Sequence, residues 1–406
     1  MDTNTYDAIV VGARCAGAPT AMLLARRGHR VLVLDRATFP SDTLSTHLIH
    51  PPGVARLRDW GLLDAVLATG CPPITRYSFD FGPVTVAGRP RAAHGLRVAY
   101  APRRTVLDKL LVDAAADAGA EVREAFTVDE VLVEDGAVVG VRGHGRNGRR
   151  VTERARVVVG ADGRYSSVAR TVRPVEYRRH GRLAANYYTY WSGLPVAGLE
   201  IVIRTLRAWA AWPTNDGLTL VVIAWPYAEF DANRLDVEGN YLKALEQEPA
   251  FAARVGEARR EDRFHGGVVV NYFRRPFGPG WVLVGDAGYN KDPITAQGIS
   301  DAFRDAELCA QALDAGFTGR LPLDEALRSY QEVRDAAVTA IYDFTLDLAA
   351  LEPPPPEMQQ LIGAMPGNQE AMDGFVSVMA GTVSPADFFA PDSVGPILEA
   401  AGAAAR

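Results

Sequence analysis

Ala8-Ile9-Val10-Val11-Gly12-Ala13-Arg14-Cys15-Ala16-Gly17 joins an apolar run to a glycine-rich turn, and a second apolar run follows at Val31-Leu32-Val33-Leu34. Between the two runs lies a helical pattern that ends at Gly28, where a left-handed residue after a helix is expected. Continuously apolar strands joined by one helix are typical of a parallel sheet that is buried on both faces. The stretch therefore predicts an α/β fold that starts with a β-α-β unit.

The turn after the first strand has the spacing of a dinucleotide-binding loop. Gly12 and Gly17 occupy the first and third glycine positions of G-x-G-x-x-G, but Arg14 occupies the second. The first glycine of that motif makes the tight turn, and the third lets the helix pack closely on the strand. The Arg14 guanidinium either turns away from the loop or pairs with a phosphate. Asp35 ends the second strand, where a carboxylate can bind ribose hydroxyl groups. These features predict a Rossmann-type dinucleotide site at Gly12, Arg14, Cys15, Ala16, Gly17, Asp35 and Arg36.

Two further motifs follow in order along the chain. Val158 to Arg170 contains Gly160-Ala161-Asp162-Gly163, and Gly285-Asp286-Ala287-Gly288 leads through Pro293 to Gln297-Gly298-Ile299. With all three motifs in this order, the chain resembles the single-component FAD-dependent monooxygenases of the flavoprotein aromatic hydroxylase type. That family is related to the geranylgeranyl reductases and the flavin-dependent halogenases. The resemblance covers nearly the whole chain apart from its tail.

The resemblance implies how FAD is held, without a covalent link. Asp286 corresponds to a carboxylate that holds the ribityl chain, and the segment around Pro293 lies against the flavin ring. Asp162 corresponds to a position near the pyrophosphate, and Arg104 to an arginine that reaches the phosphates. The helix that starts at Gln297 points at the pyrimidine end, where its N-terminus stabilises negative charge on the reduced flavin. The expected cofactor contacts in these motifs are Arg104, Asp162, Gly285, Asp286, Gln297, Gly298 and Ile299.

The resemblance also implies the reaction. NAD(P)H, visiting transiently, reduces FAD, and NADPH rather than NADH is the expectation for the family. O2 then forms a flavin C4a-hydroperoxide, which hydroxylates or epoxidises a small apolar or aromatic molecule. The alternative is a reductase of the geranylgeranyl reductase type, which saturates a substrate double bond, because Asp292 to Ile299 also resembles the flavin-contacting stretch of those enzymes. Halogenation is disfavoured because Trp209-Ala210-Ala211-Trp212-Pro213 departs from the halogenase signature.

Residues of the substrate side are harder to assign. His47, Pro293 and Asn271 are the catalytic candidates, and His180 is a further polar residue of interest. The region from 176 to 275 has strand-like alternation and many aromatic residues, and one face of its sheet is expected to roof the flavin. A subset of its aromatic side chains is expected to line an apolar pocket. The aromatic candidates are Tyr187, Tyr190, Trp209, Trp212, Trp225, Tyr227 and Tyr272.

The pattern along the chain predicts a discontinuous FAD-binding domain with an inserted antiparallel sheet. We assign residues 1–75, 100–175 and 276–350 to the FAD-binding domain, and 76–99 and 176–275 to the substrate domain. Pro353 to Pro356 end a long helix that covers roughly 323–350. The remaining residues, 351–406, are expected to form a short helical C-terminal segment.

Composition excludes several classes of protein. The net charge of −6 offers no basic surface for nucleic acid or for an anionic membrane. No apolar run is long enough to span a bilayer and the N-terminus carries no export signal, so we expect a cytoplasmic protein. The three cysteines, Cys15, Cys71 and Cys309, have neither disulfide nor zinc spacing, and no metal site is expected. An oligomer is not indicated.

Overall fold

The computed structural model describes residues 5–404. Its strands, in chain order, are β1 (Thr5–Val11), β2 (Val31–Leu34), β3 (Pro73–Ile74), β4 (Tyr77–Asp80), β5 (Thr85–Gly88), β6 (Ala99–Tyr100), β7 (Glu121–Arg123), β8 (Thr127–Glu134), β9 (Ala137–His144), β10 (Arg150–Gly160), β11 (Glu176–His180), β12 (Ala184–Ser192), β13 (Leu199–Arg204), β14 (Arg207–Pro213), β15 (Leu218–Pro226), β16 (Arg259–Arg260), β17 (His265–Val268), β18 (Asn271–Arg274), β19 (Phe277–Gly278), β20 (Trp281–Leu283) and β21 (Tyr289–Asn290).

Its α-helices are α1 (Gly17–Ala25), α2 (Pro51–Asp59), α3 (Leu63–Leu67), α4 (Arg104–Asp117), α5 (Ser167–Val172), α6 (Phe230–Asn233), α7 (Val237–Leu245), α8 (Pro249–Glu257), α9 (Gly298–Phe317), α10 (Leu323–Ala349), α11 (Pro356–Ala364), α12 (Gln369–Met379), α13 (Pro385–Phe388) and α14 (Pro391–Ala404). The predicted long helix is α10, which ends before the proline run. The first four residues of the expected FAD-binding domain lie outside the described part of the chain.

The first sheet has a parallel centre in the order β20-β10-β1-β2-β7. Its strands are buried on both faces, because α1, α4 and α9 cover one face while the β8–β9 hairpin and α5 cover the other. This arrangement explains the unbroken apolar runs of β1 and β2, since neither face meets water. The predicted α/β fold is confirmed.

The second sheet is mainly antiparallel, in the order β16-β12-β15-β14-β13-β4-β5, and β17 also pairs with β12. Side chains alternate between its two faces. One face packs on α7 and α8 through Tyr241, Leu245 and Phe251. The opposite face packs on the C-terminal helices α11, α12, α13 and α14. The tail of the chain therefore completes a core with this sheet instead of standing apart from it.

Two structural features are absent from residues 5–404. No helix in that range combines the length and apolarity needed to cross a membrane. Nor does that range contain three or more His, Cys, Asp or Glu side chains grouped so that they could hold a metal ion.

Candidate active site and cofactor cleft

A cleft of about 790 Å³ opens at the carboxyl ends of β1, β2 and β10 and extends beneath the second sheet. In a parallel sheet this is the edge at which ligands bind. Its lining includes most of the residues that the sequence motifs predict, namely Gly12, Arg14, Cys15, Ala16, Asp35, Arg36, His47, Arg104, Asp162, Gly285, Asp286, Pro293, Gly298 and Ile299. The structure thus brings together motifs that are far apart in sequence.

The turn between β1 and α1 requires glycine at two positions. Gly12 has φ of +99°, and a Cβ atom there would lie 2.5 Å from the carbonyl oxygen of Ala161. A Cβ atom on Gly17 would lie 1.8 Å from the carbonyl oxygen of Gly12. These close approaches keep the backbone open toward the cleft, as a loop that wraps a pyrophosphate requires.

Asp35 is fixed by the same turn. Its Oδ2 accepts a hydrogen bond from the backbone N–H of Ala13 at 2.7 Å, and its Oδ1 accepts one from Ala37 at 2.8 Å. Each carboxylate oxygen keeps a further lone pair that can accept a bond from a ribose hydroxyl. Arg36, the next residue, is exposed at the rim of the cleft.

Asp108 is a buried carboxylate that the sequence patterns did not reveal. Its Oδ2 forms an ion pair with Arg14, and its Oδ1 accepts hydrogen bonds from Arg104 Nε at 2.9 Å and from Cys15 Sγ at 3.4 Å. Arg14 also donates to Ser41. The Arg14 guanidinium therefore turns away from the glycine loop toward α4, where Asp108 and Ser41 hold it. Burial raises the pKa of the Cys15 thiol, which keeps it neutral.

Two acidic motif residues lie on the facing side of the cleft. Asp162 Oδ2 accepts from the backbone N–H and the hydroxyl of Ser167, while its buried Oδ1 has no partner among residues 5–404. The Asp286 side chain is exposed in the cleft and makes no hydrogen bond within the described chain. Desolvation by the surrounding protein raises its pKa, and the cationic Lys291 opposes that shift. Behind it, Tyr272 donates to the Asp286 carbonyl oxygen at 2.8 Å. Asp286 is therefore positioned yet unpaired, as expected for a group that binds a ligand.

The segment from 292 to 299 forms the inner end of the cleft. Pro293–Thr295 is a short 3-10 turn, Ala296 has φ of +50°, and α9 then begins at Gly298. The backbone N–H groups of Gly298 and Ile299 belong to the first turn of α9, where they have no partner within the helix. An anionic part of a bound cofactor at this point is stabilised by the helix N-terminus.

Gln297 is a correction to the expected cofactor contacts. Its side chain leaves the cleft and donates through Nε2 to the carbonyl oxygen of Met379 at 2.7 Å. The amide thereby ties the start of α9 to the end of α12. The motif predicted the position of the helix start but not the direction of this side chain.

His47 lines the cleft and is fixed at both ring nitrogens. Nδ1 lies 3.0 Å from the carbonyl oxygen of Ala101, and Nε2 lies 3.0 Å from the hydroxyl of Tyr190. Burial lowers the His47 pKa to about 3, so the ring is neutral at physiological pH. With φ of +42° and two bonds to protein, His47 has the environment of a structural residue in the cleft wall.

Asn271 and His180 are further corrections, because neither lines the cleft. Asn271 is fully buried, donates to the Gly181 carbonyl oxygen at 2.9 Å and accepts from the Asp292 backbone N–H at 2.6 Å. Both polar atoms of its side-chain amide are therefore used in hydrogen bonds to the backbone. His180 is exposed at the end of β11, against the ring of Tyr342.

The aromatic residues of β12, β14 and β15 divide between the two faces of the second sheet. Tyr187 and Trp225 stack on each other on the face that packs on α7 and α8, away from the cleft. Trp212 lies on the opposite face, beside a small apolar chamber at the inner end of the cleft. That inner chamber has a volume of about 40 Å³ and is lined by Leu48, His50, Asn186, Leu199, Ile201, Ala208, Trp209, Ala210, Trp212, Val222, Ala224, Pro293, Ile294, Thr295, Ala296 and Met379.

Three polar residues at the inner end of the cleft were not predicted as site residues from the sequence. Asn186 lines both the cleft and the inner chamber, and its Nδ2 donates to Asp292 Oδ1 at 3.3 Å. Lys291 also lines the cleft, where its ammonium group pairs with Asp301 and lies 4.7 Å from the Tyr289 ring centre. The resemblance around Pro293 offered one signal for Asp292, but no local pattern pointed to Asn186.

Comparison with known proteins identifies the family. A family model described as "FAD binding domain" matches residues 5–345. The chain belongs to this FAD-binding family. It is an FAD-dependent oxidoreductase, and it shares the family with enzymes of several reaction types.

Relatives of this FAD-dependent oxidoreductase include both reductases and monooxygenases. A digeranylgeranylglycerophospholipid reductase of Methanocella arvoryzae is 26% identical, over 86% of this chain and 91% of that protein. Rifampicin monooxygenase of Streptomyces venezuelae is also 26% identical, over 89% of this chain and 75% of that protein. Among solved structures, the myxobacterial chondrochloren halogenase CndH superposes with a TM-score of 0.79 at 22% identity, covering 98% of this chain and 97% of the other. The last likeness establishes the shared fold.

Proposed function

We propose that this oxidoreductase is a monooxygenase that uses NAD(P)H and O2 to insert one oxygen atom into a small, largely apolar molecule. The observation that carries the proposal is the inner chamber, a mainly apolar recess between the second sheet, the Pro293 turn and Met379. Apolar walls at the end of a polar cleft bind the apolar part of a substrate and exclude water from the reacting atoms.

The residues present fit FAD in an extended position along the cleft. The glycine turn at Gly12 receives the pyrophosphate, Asp35 binds the adenosine ribose, and Asp286 binds the ribityl chain. Arg104 supplies positive charge near the phosphates, and Asp162 lines the same part of the cleft. In this arrangement the Pro293 turn would hold the flavin ring, next to the inner chamber, and residues 76–99 and 176–275 would form the substrate domain.

Bound FAD supplies the redox chemistry, passing electrons from NAD(P)H to O2. The chain positions the substrate, excludes water and stabilises negative charge at the start of α9. NADPH is the proposed electron donor, because the resemblance to the monooxygenase family favours it.

The experiment combines the FAD-loaded protein with NADPH and a panel of phenols and prenylated lipids, with and without O2. We expect a product that has gained one oxygen atom, carries label from 18O2 and does not form under strict anaerobiosis. Anaerobic product that has gained two hydrogen atoms would instead establish the reductase function.

That reductase function is the second candidate, and two observations favour it. The Methanocella relative is named for reduction of a geranylgeranyl lipid. In addition, Asp292 is a buried carboxyl at the inner end of the cleft, and double-bond saturation needs a proton as well as a hydride. The inner chamber, with Met379 in its wall, offers only about 40 Å³, which is too little for a long prenyl chain, so monooxygenation of a small molecule remains our proposal.

A further inference from the structure

Lys291 is the lysine that lies in the wall of the cleft, while the other two lysines of the chain, Lys109 and Lys243, lie on α4 and α7. Its side chain is only 5% exposed, and its ammonium group pairs with Asp301 and lies over the Tyr289 ring. A buried ammonium group loses much of its hydration, so it needs a charged or polar neighbour that compensates for the loss. Asp301 is that neighbour, and the pair holds a positive charge beside the cleft.

The Lys291–Asp301 pair belongs to a buried network of four charged groups. Asp301 Oδ1 also accepts a hydrogen bond from Arg304 Nη1 at 2.8 Å, and Arg304 Nη2 donates to Asp305 Oδ1 at 2.8 Å. Desolvation raises the pKa of Asp301, but Lys291 and Arg304 lower it more, so the net shift is downward and Asp301 is ionised. With two cations and two carboxylates the network has no net charge. Loss of the Lys291 ammonium group would leave it with one excess negative charge.

Asp301 lies in the first turn of α9, at the helix end that lines the cleft. A helix N-terminus stabilises a nearby anion, whereas a carboxylate at the same place repels it. Lys291 offsets that repulsion because it pairs with the Asp301 carboxylate. Its charge also acts within the cleft: desolvation raises the pKa of Asp286, and among the neighbouring charges Lys291 opposes this shift most.

We propose that Lys291 raises the reduction potential of bound FAD by cancelling the charge of Asp301 at the start of α9. Reduction adds two electrons and one proton to the flavin, which NAD(P)H supplies as a hydride while it becomes NAD(P)+. The reduced flavin therefore carries one more negative charge than the oxidised flavin, and a nearby cation stabilises it. This inference deepens the proposed function and rests on its position for the flavin ring, but it does not depend on the reaction with O2.

The test is the two-electron midpoint potential of the FAD-loaded protein, measured at pH 8 by anaerobic reductive titration against a reference dye. Lys291→Met removes the ammonium group and keeps an unbranched side chain of similar length. We expect this variant to bind reduced FAD about tenfold less tightly relative to oxidised FAD, which lowers the potential by about 30 mV. One poorly screened unit charge at roughly 10 Å is sufficient for a change of this size.

Further variants separate an electrostatic role of Lys291 from a structural one. Asp301→Asn removes the opposite charge and should raise the potential by about 30 mV. The double variant, which combines Lys291→Met with Asp301→Asn, should return to within about 10 mV of the natural protein. A packing defect would not change sign between the two single variants. Lys109→Met, the same substitution at an exposed lysine that pairs with Asp113, is the matched control and should leave the potential unchanged.

Three results would overturn the proposal: an unchanged or raised potential in Lys291→Met, an unchanged or lowered potential in Asp301→Asn, or a double variant that keeps the full shift of Lys291→Met. If Lys291→Met does not retain FAD, the result for Asp301→Asn decides alone. The titration involves neither O2 nor substrate. A protein that shows the expected potentials but inserts no oxygen would therefore remove the proposed function and leave the role of Lys291 in place.

Discussion

The two ends of the cleft are built in different ways. The nucleotide end, formed by Gly12, Asp35, Asp162 and Asp286, is shaped by tight backbone turns at the edge of the parallel sheet. The inner end, formed by Asn186, the Pro293 turn and Met379, is shaped by side chains from three separate parts of the chain. Backbone turns leave little freedom for substitution, whereas side chains can change without altering the fold. The nucleotide end should therefore determine cofactor binding, and the inner end should determine which substrate is accepted.

The largest effect should come from the glycine turn. Gly12→Val places side-chain atoms where Cβ alone lies 2.5 Å from the Ala161 carbonyl oxygen, at a φ of +99°. We expect the purified variant to lack FAD and to melt at a lower temperature, as absorbance at 450 nm and calorimetry would record.

Gly28→Ala is the matched control for this substitution. Gly28 also has positive φ, +85°, but no atom lies within 4 Å of an added Cβ. It should cost only about 1 kcal/mol of stability from backbone strain and leave FAD bound. If Gly12→Val retained FAD as well as this control does, the assigned role of the turn would be wrong.

Asp286→Asn should have the next largest effect. Removing the charge from a carboxylate that has no partner in the chain should weaken FAD binding by about 1.5–3 kcal/mol, if it bonds the ribityl chain. Asp162→Asn should weaken FAD less, because Asp162 is already occupied with Ser167. Fluorescence titration of the two apoproteins with FAD compares them, and equal losses would contradict the ribityl assignment.

Asp292 should affect how the free energy of unfolding depends on pH. Since the folded-state pKa of Asp292 is raised to about 7, the folded protein holds a proton between pH 4 and 7 that the unfolded chain has released. Stability is therefore lost progressively as pH rises from about 4 to about 7, and the loss levels off above pH 7. Between pH 6 and 8, Asp292→Asn should gain about 1.4 kcal/mol relative to the natural protein, measured by urea unfolding. A difference that does not vary with pH would show that Asp292 titrates normally.

The smallest effect is expected at Gln297. Gln297→Ala removes the bond to the Met379 carbonyl oxygen and should cost about 1 kcal/mol of stability. The FAD dissociation constant should stay within about twofold, because the side chain does not line the cleft. A large increase in the FAD dissociation constant would show that Gln297 contacts the cofactor.

The sequence predicted which residues of the nucleotide end line one cleft, because its signals are local. Glycine spacing, a strand-terminal Asp35 and the run from Gly285 to Gly298 each lie within one loop. The inner end depends on contacts between distant residues, such as Asn186 and Asp292, which are 106 positions apart. The same limit explains why Asn271 was predicted as a catalytic residue. Its side-chain amide bonds to backbone groups that come near it only in the folded protein.

The contribution of the C-terminal tail also could not be read from sequence. Helical periodicity predicts that α12 buries one face, but it does not say against which element. The structure places Met379 at the wall of the inner chamber and its carbonyl oxygen against Gln297. This wall of the inner chamber is therefore formed by packing between helices and strands, and no sequence motif indicates it.

The most direct test of this account is a paired measurement on Asp286→Asn and on Ala224→Leu, which adds side-chain atoms to the wall of the inner chamber. For each variant, the FAD dissociation constant is determined first, and the KM for a phenol substrate is then determined at saturating FAD. Our account predicts opposite results: Asp286→Asn weakens FAD at least about tenfold with little change in KM, and Ala224→Leu raises KM at least about tenfold while the FAD dissociation constant stays within about twofold. Variants that weaken both ligands alike would contradict it.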